Sequence, residues 1–251
     1  MTELTELKSW IWLDYDEVGS TNDEALRLSK NLTPKQKLVI TAHRQTKGRG
    51  RRGRNWISLD GNLFMSQLFN WPQKESGAMP FIASLSVLNT ILKISPHAQV
   101  ELKWPNDVLL NNCKVSGILL ERGEKDAIVI GIGVNIKYAP DSNSLLYPTT
   151  SLQSDGIDCS YTDFLKLYLD EFDNLLQLYT TKGMPVVVSQ WLQHAKGIGF
   201  PITVHTAQNE LHGVFKGVSS EGTLQLETLD GIVIDINAGD VFFDKNGEDK
   251  K

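Results

Sequence analysis

The sequence predicts an α+β protein in which a large unit of strands and helices is followed by a small unit of short strands. Two observations lead to this fold class. Up to about residue 197, β-branched apolar runs are interspersed with longer stretches of helical periodicity. After Gly199 the pattern changes to short alternating runs, and Asp230-Gly231 between two of them is typical of a hairpin turn. We therefore expect a β-barrel-like domain at the C-terminal end.

Composition bounds the class of protein. The 251 residues are 41% hydrophobic and 22% charged, so a packed core is expected. The formal net charge of −5 argues against general nucleic-acid binding. Cys113 and Cys159 have no metal or redox spacing and are predicted to be free thiols in a reducing compartment. With neither a signal peptide nor an apolar run of the roughly 18 residues that span a membrane, we expect a cytoplasmic location.

Helices are predicted from periodicity and terminal signals. Thr21 is the expected N-cap of the first helix, because Glu24 three residues later completes a capping box. Pro185 is expected in the first turn of the last helix. The predicted helices cover residues 21–30, 77–94, 161–181 and 185–196.

Strands are predicted from β-branched and alternating runs. In the large unit they cover residues 10–13, 38–42, 62–69, 100–104, 114–121 and 127–136. In the small unit they cover residues 202–205, 211–215, 224–227, 232–235 and 239–243. The predicted domains are therefore residues 1–197 and 198–245, with a frayed tail at 246–251.

A basic, glycine-rich loop at residues 46–56 is the most informative stretch. It holds four arginines, one lysine and three glycines. Glycines let backbone N–H groups approach a ligand closely, and arginine forks suit carboxylate and phosphate oxygens. The loop is therefore a candidate site for an acidic small molecule together with a nucleotide phosphate. Taken alone, it is equally typical of a solvated basic loop or a nucleic-acid patch.

Three further clusters are ambiguous one at a time. Residues 103–107 (Lys-Trp-Pro-Asn-Asp) place a carboxylate at a turn, where it can bind Mg²⁺ or simply form the turn. Lys114 at a strand start is either a surface lysine or a point charge for a phosphate. Gly131 and Gly133 lack the third glycine of a dinucleotide fingerprint. They favour either close approach of a flat ligand, with Asn135 near a base edge, or a close strand–helix contact.

These clusters occur in one order, from Ser20-Thr21-Asn22 through the loop and residues 103–107 to Lys114, Gly117 and the glycine strand. That order, over about residues 10–244, closely resembles the biotin–protein ligase family. The resemblance implies a mixed sheet with helices, of the type found in class II aminoacyl-tRNA synthetases and lipoate ligases, followed by an SH3-like domain. It also implies ATP-dependent activation of biotin as biotinyl-5′-AMP, with Mg²⁺, and transfer to a lysine of a biotin carboxyl carrier domain.

The resemblance implies roles for individual residues. The implied biotin-binding residues are Ser20, Thr21, Asn22, Gln45, Gly48, Arg49, Gly50, Arg51, Trp56, Lys114 and Gly117. The implied nucleotide-binding residues are Arg51, Arg52, Arg54, Lys103, Asn106, Lys114 and Asn135. The implied catalytic residues are Lys114, Arg51 and Asp107, and Asp107 is also the candidate Mg²⁺ ligand. Trp56 is expected to cover the biotin pocket.

Other functions remain open at this point. A lipoate–protein ligase or octanoyl transferase shares the implied fold. A biotin or nucleotide sensor without catalysis, and an RNA-binding protein that uses the arginine loop, are alternatives of a different class. Because the ligase-like region starts within the first twenty residues, we expect no repressor activity, no DNA partner, and a monomer or weak homodimer.

Overall fold

The structure is a computed structural model that describes residues 3–141 and 147–243, with the backbone alone for residues 3–6. Its larger part is an eight-stranded mixed sheet with the strand order β1-β2-β3-β4-β8-β7-β6-β5. The strands are β1 (Glu3–Leu7), β2 (Trp10–Val18), β3 (Lys37–Gln45), β4 (Leu63–Asn70), β5 (Val100–Lys103), β6 (Asp107–Leu110), β7 (Cys113–Arg122) and β8 (Ala127–Val134). The predicted α+β class and mixed sheet are confirmed.

Helices cover both faces of this sheet. They are α1 (Thr21–Ser29), α2 (Met79–Ile94), α3 (Tyr161–Lys182) and α4 (Met184–Leu192). Helix α1 connects β2 to β3, which pair in parallel, whereas the other neighbouring strands of the sheet pair antiparallel. A parallel pair needs such a crossover, because a tight hairpin can join only antiparallel strands.

The side chains of strand β8 alternate between the two faces of the sheet. Ile128, Ile130 and Ile132 belong to the main core, which contains α2, α3 and α4. Ala127 and Val129 pack in a second core with Ala25 of α1. Because side chains alternate between the faces of a strand, Gly131 and Gly133 lie on the α1 face. This part of β8 therefore has no side chains on the α1 face, and the cavity described below lies there.

The longest apolar helical stretch belongs to the core. The helical stretch Gln73–Ile94 is long and apolar enough to cross a membrane, but 67% of its apolar 18-residue segment is buried inside the protein. Its buried residues pack against the sheet, α3 and α4. Its hydrophobicity is therefore explained by the fold.

Five short strands form a second, antiparallel sheet. They are β9 (Pro201–His205), β10 (Glu210–Val218), β11 (Leu224–Glu227), β12 (Val233–Ile236) and β13 (Asp240–Phe243), in the order β12-β11-β10-β9-β13. All five were predicted from alternating runs and are confirmed. Their apolar side chains, including Phe215 and Leu226, join the main core. The predicted tail at 246–251 lies outside the described residues.

Two helix boundaries differ from prediction. The N-cap of α1 is Ser20 rather than Thr21, and no side chain caps this helix. Instead, the Thr21 hydroxyl donates to Gln45 Oε1, which faces the cavity. Helix α4 ends at Leu192, before the predicted 196, because the following backbone pairs with the edge strand β5 through Leu102.

Candidate active site

A cavity of about 540 Å³ opens on the α1 face of the large sheet. Its walls come from the N-terminus of α1, the basic loop, strands β6 to β8 and the segment after β8. Fourteen of the residues predicted for the site line it: Ser20, Thr21, Asn22, Gln45, Arg49, Gly50, Arg51, Arg54, Trp56, Asn106, Asp107, Lys114, Gly117 and Asn135. The sequence clusters, each of which has more than one interpretation when taken alone, therefore line the same cavity.

The floor of the cavity is flat because it is made of glycine backbone. Gly117 and Gly133 are direct neighbours across β7 and β8. The Trp56 indole lies on both: a Cβ added to Gly133 would be 2.3 Å from Trp56 Cε2, and one on Gly117 would be 2.9 Å from Trp56 Cζ3. The indole Nε1 is buried without a hydrogen-bond partner in the described part of the chain. An aromatic ring thus already occupies the flat surface over these glycines.

Uncharged polar groups form much of the cavity at α1, where Arg49 also lies, paired with Asp23 and Glu121. Gln45 Oε1 accepts hydrogen bonds from the Thr21 backbone N–H, at 2.9 Å, and from its hydroxyl, at 3.2 Å. Gln45 Nε2 donates to Ser58 Oγ at 3.2 Å. Ser66 Oγ, fully buried in β4, lies 2.8 Å from Thr21 Oγ1. Such a group of neutral donors and acceptors suits a urea- or amide-like ligand.

Charged groups form the opposite wall. Lys114 Nζ lies 2.6 Å from Asp107 Oδ1. Arg51 Nη1 donates to Asn106 Oδ1 at 3.2 Å, and Asn106 Nδ2 is fixed by the carbonyl of Ile118 at 2.6 Å. Burial lowers the pKa of Arg51, although Asp240 and Asp107 favour its charged form. Cations held in a partly dry wall attract phosphate and carboxylate oxygens more strongly than they would in water.

Asp107 is the one carboxylate that lines the cavity within the described residues. No group of three or more His, Cys, Asp or Glu side chains that could hold a metal ion is found there. This donor set fits Mg²⁺, which is commonly bound by one or two carboxylates together with substrate phosphates. It does not fit a structural zinc site, which needs four protein ligands.

Three predicted residues do not line the cavity. A Cβ on Gly48 would meet the carbonyl of Trp56 at 2.6 Å, and Trp56 N–H donates to the Gly48 carbonyl at 2.9 Å. Gly48 therefore lets the two ends of the basic loop come together. Arg52 and Lys103 lie behind the wall, towards the C-terminal sheet.

The C-terminal sheet holds the basic loop through one carboxylate. Asp240, the first residue of β13, accepts from Arg52 Nη1 at 3.0 Å and from Arg54 Nη2 at 2.8 Å. Burial opposes the charge of Asp240, but the arginines outweigh it and lower its pKa. Arg52 also donates to the His205 carbonyl at 3.3 Å. Two arginines predicted to bind nucleotide thus attach the loop to the second sheet.

Lys103 is buried beneath an aromatic residue of the cavity wall. Its side chain is 3% exposed, and Nζ lies 3.0 Å from the centre of the Tyr147 ring. Tyr147 lines the cavity, stacks on Phe242 and donates its hydroxyl to the Val241 carbonyl at 3.0 Å. Burial lowers the pKa of Lys103 to about 7. Lys103 therefore supports the wall from behind.

Sequence reasoning missed several residues of the site. Tyr147 lies in a polar loop and carried no motif. Met65 and Ile132 also line the cavity, although both belong to the main core, so the apolar pattern of their strands predicted only core. Glu121, near the end of β7, contacts Arg49 and Asn22. Its spacing from Gly117 along the strand is equally typical of a carboxylate exposed to solvent. The one available signal was that residues 117 and 121 are an even number of positions apart, which puts both on the same face of the strand.

Comparison with known proteins places this site in a family. The model of the Biotin/lipoate A/B protein ligase family matches residues 17–135, and that of the Biotin protein ligase C terminal domain matches residues 197–244. The Biotin--[acetyl-CoA-carboxylase] ligase of Paracoccus denitrificans is 37% identical over 236 residues, which cover 89% of this chain and 97% of that protein.

Two further relatives agree. The Bifunctional ligase/repressor BirA of Bacillus subtilis is 32% identical, over 91% of this chain and 73% of that protein. The structure of the biotin protein ligase from Aquifex aeolicus in complex with biotin and ATP has a TM-score of 0.76 at 28% identity, covering 94% of this chain and 98% of that chain. The chain therefore belongs to the biotin protein ligase family.

Proposed function

We propose that the protein is a biotin–[acetyl-CoA-carboxylase] ligase, which activates biotin with ATP and transfers it to a lysine of a biotin carboxyl carrier protein. One observation carries the proposal. A single cavity has neutral hydrogen-bonding groups at one end and the Lys114–Asp107 pair with Arg51 at the other, over a glycine floor. This arrangement suits a neutral ureido ring at one end and a carboxylate beside a phosphate at the other.

The first step joins two anions. A biotin carboxylate oxygen attacks the α-phosphorus of ATP, the bond to pyrophosphate breaks, and biotinyl-5′-AMP forms. Lys114 and Arg51 would offset the repulsion between the two anions and stabilise charge that develops on the phosphate oxygens. Asp107 orients Lys114 through their ion pair and is the residue that would hold Mg²⁺. When bound, Mg²⁺ supplies further neutralisation of the phosphates.

The second step transfers the acyl group. The ε-amine of the acceptor lysine attacks the biotinyl carbonyl carbon, the bond to AMP breaks, and the amine loses a proton. The residues proposed to hold biotin through both steps are Ser20, Thr21, Asn22, Gln45, Gly48, Arg49, Gly50, Arg51, Trp56, Lys114 and Gly117. Those proposed for the nucleotide are Arg51, Arg52, Arg54, Lys103, Asn106, Lys114 and Asn135.

Of the residues just named, Arg52, Lys103 and Gly48 do not line the cavity and would contribute to binding indirectly. Arg52 and Gly48 shape the basic loop, and Lys103 supports Tyr147. Asn135 is 2% exposed and its amide donates to the Thr150 carbonyl at 3.0 Å, which leaves its oxygen as the group for an adenine amine.

The experiment that tests this function is ATP–pyrophosphate exchange with biotin or lipoate as the acid. The proposal expects exchange that depends on biotin and Mg²⁺. Exchange with lipoate but not with biotin would identify a lipoate ligase. Tight binding of biotin without exchange would identify a sensor.

Further properties follow as proposals. The division into residues 1–197 and 198–245 is supported by the change from mixed to antiparallel sheet between α4 and β9. The net charge of −5 supports the absence of a DNA partner, and a gel-shift with genomic fragments tests this. A cytoplasmic location is supported by the unpaired thiols of Cys113 and Cys159. Light scattering at two concentrations tests for a monomer or weak homodimer.

A further inference from the structure

Glu121 joins three elements around the α1 end of the cavity. It is the ninth residue of the ten-residue strand β7. Its Oε2 accepts from Asn22 Nδ2 at 2.6 Å and from Arg49 Nη2 at 2.8 Å, and its Oε1 lies 3.1 Å from the same Arg49 nitrogen. Asn22 belongs to α1 and Arg49 to the basic loop. One carboxylate therefore links strand, helix and loop.

This carboxylate fixes the orientation of the Asn22 amide. An ionised carboxylate only accepts hydrogen bonds, so the Asn22 NH₂ group has to face Glu121. Asn22 Oδ1 then faces Ser66 Oγ, which donates to it. A Cβ on Gly131 would lie 2.2 Å from the same oxygen, so the amide packs directly on the floor of the cavity. Asn22 is 3% exposed, and a reversed amide would put its oxygen against the carboxylate.

Glu121 also holds the basic loop. The Arg49 guanidinium lies between Glu121 and Asp23, whose Oδ1 is 2.6 Å from Arg49 Nη1. Burial opposes the charge of Arg49, but Asp23 and Glu121 outweigh it and raise its pKa. The Asp23 side chain is 55% exposed and that of Glu121 only 27%. Because exposed ion pairs contribute little, Glu121 is the stronger of the two partners.

We propose that Glu121 is a positioning residue for biotin, which acts by orienting Asn22 and Arg49. This inference rests on the proposed function, in which both residues contact biotin. Lys114 Nζ would lie 3.2 Å from a Cβ on Gly117, which is four residues along β7 from Glu121, roughly 13 Å at the usual rise of a strand. The effect of Glu121 should therefore be confined to the biotin end and leave the nucleotide end unchanged.

The test is Glu121→Gln, which keeps the size of the side chain but removes its charge and its obligatory acceptor character. Isothermal titration of the whole chain with biotin alone should show binding about tenfold weaker, because hydrogen bonds to a charged group are lost. In ATP–pyrophosphate exchange, the KM for biotin should rise by the same factor, while the KM for ATP stays within about twofold. Glu121→Asp should recover part of the loss.

The matched control is Glu17→Gln. Glu17 forms an ion pair with Arg44 across β2 and β3, away from the cavity, and its replacement should leave both KM values unchanged. A double variant of Arg49→Gln with Glu121→Gln should lose less than the sum of the two single losses. Thermal unfolding of each variant reports any general loss of stability.

The outcomes separate this inference from the function it rests on. If the unaltered chain binds no biotin, the proposed function fails and the positioning role with it. If the unaltered chain binds biotin and Glu121→Gln binds it equally well, the positioning role alone is overturned. An equal rise in the KM values for biotin and ATP would also overturn it, because a general structural defect would affect both substrates.

Discussion

Lys114 Nζ lies 2.6 Å from Asp107 Oδ1, between two neighbouring antiparallel strands at the charged wall of the cavity. The side chain of Lys114 is 23% exposed and that of Asp107 12%, so the pair is partly shielded from water yet open to a ligand. Asp107 therefore presents the lysine to the cavity as an oriented cation.

Replacement of Lys114 by alanine should lower biotin-dependent ATP–pyrophosphate exchange by about 10²-fold or more, the usual cost of removing one group that stabilises a transition state. Asp107→Asn should also lower the rate, because the lysine loses its orienting partner. The control is Lys30→Ala at the exposed end of α1, which should change the rate less than twofold. A Lys114→Ala variant with normal exchange would remove this lysine from the mechanism.

Asp240 should keep the basic loop in place for the nucleotide. We expect Asp240→Asn to release Arg52 and Arg54, to speed amide hydrogen exchange in residues 46–56 and to raise the KM for ATP several-fold. The arginines lower the pKa of Asp240, so its charged form is fully present above the usual carboxyl pKa. It is lost only as the pH falls through the lowered pKa.

The effect of Asp240→Asn should therefore be constant between pH 6 and 8. The matched variant is Asp235→Asn in β12, an exposed carboxylate of the same sheet, for which no change is expected. Equal hydrogen exchange of the loop in both variants would contradict a holding role for Asp240.

Gly133 should be intolerant of a side chain. The methyl group of Gly133→Ala would overlap the Trp56 indole and push it towards the cavity, so biotin should bind at least about tenfold more weakly. Gly19→Ala adds the same methyl group where no atom lies within 4 Å and should leave binding unchanged. Titration calorimetry compares the two variants, and wild-type affinity in Gly133→Ala would show that biotin binding does not depend on the close contact between Trp56 and Gly133.

Lys103 should make stability depend on pH. Its pKa is lowered to about 7 in the folded protein, so between pH 7 and about 10 the unfolded chain holds a proton that the folded chain has lost. The free energy of unfolding of the unaltered protein should rise with pH in this window, relative to Lys103→Met, by up to about 1.4 kcal/mol per pH unit.

Urea denaturation at several pH values measures that difference. Other titrating groups are shared by both proteins and cancel. Replacement of the exposed Lys166 by methionine should change the free energy of unfolding by the same amount at every pH in this range. A flat difference for Lys103→Met as well would show that Lys103 keeps its proton in the folded state.

Much of the cavity could be predicted from the sequence, because its residues come in short local clusters. Ser20 to Asn22, residues 46–56, residues 103–107 and Lys114 each carry a composition that suits anions or neutral polar groups. The glycines at 131 and 133 predicted a close approach, and their place on the α1 face explains it. Alternation also predicted the five C-terminal strands.

What could not be predicted depends on contacts between distant residues. Asp240 is 186 residues from Arg54, and Glu121 is 99 residues from Asn22. No local pattern indicates that these carboxylates face cations and amides rather than solvent. Thr21 was wrongly predicted as an N-cap for a similar reason. Its hydroxyl donates a hydrogen bond to Gln45, and that contact forms only when β3 lies beside the helix.

The most direct test of the proposed ligase function is transfer to an acceptor. The protein is incubated with ATP, Mg²⁺, biotin and a biotin carboxyl carrier domain, and the carrier is weighed by mass spectrometry. A ligase should give the carrier a gain of one biotinyl group, which is absent without ATP and abolished by Lys114→Ala. No gain with biotin, while lipoate gives one or while biotin binds without transfer, would contradict the proposed function.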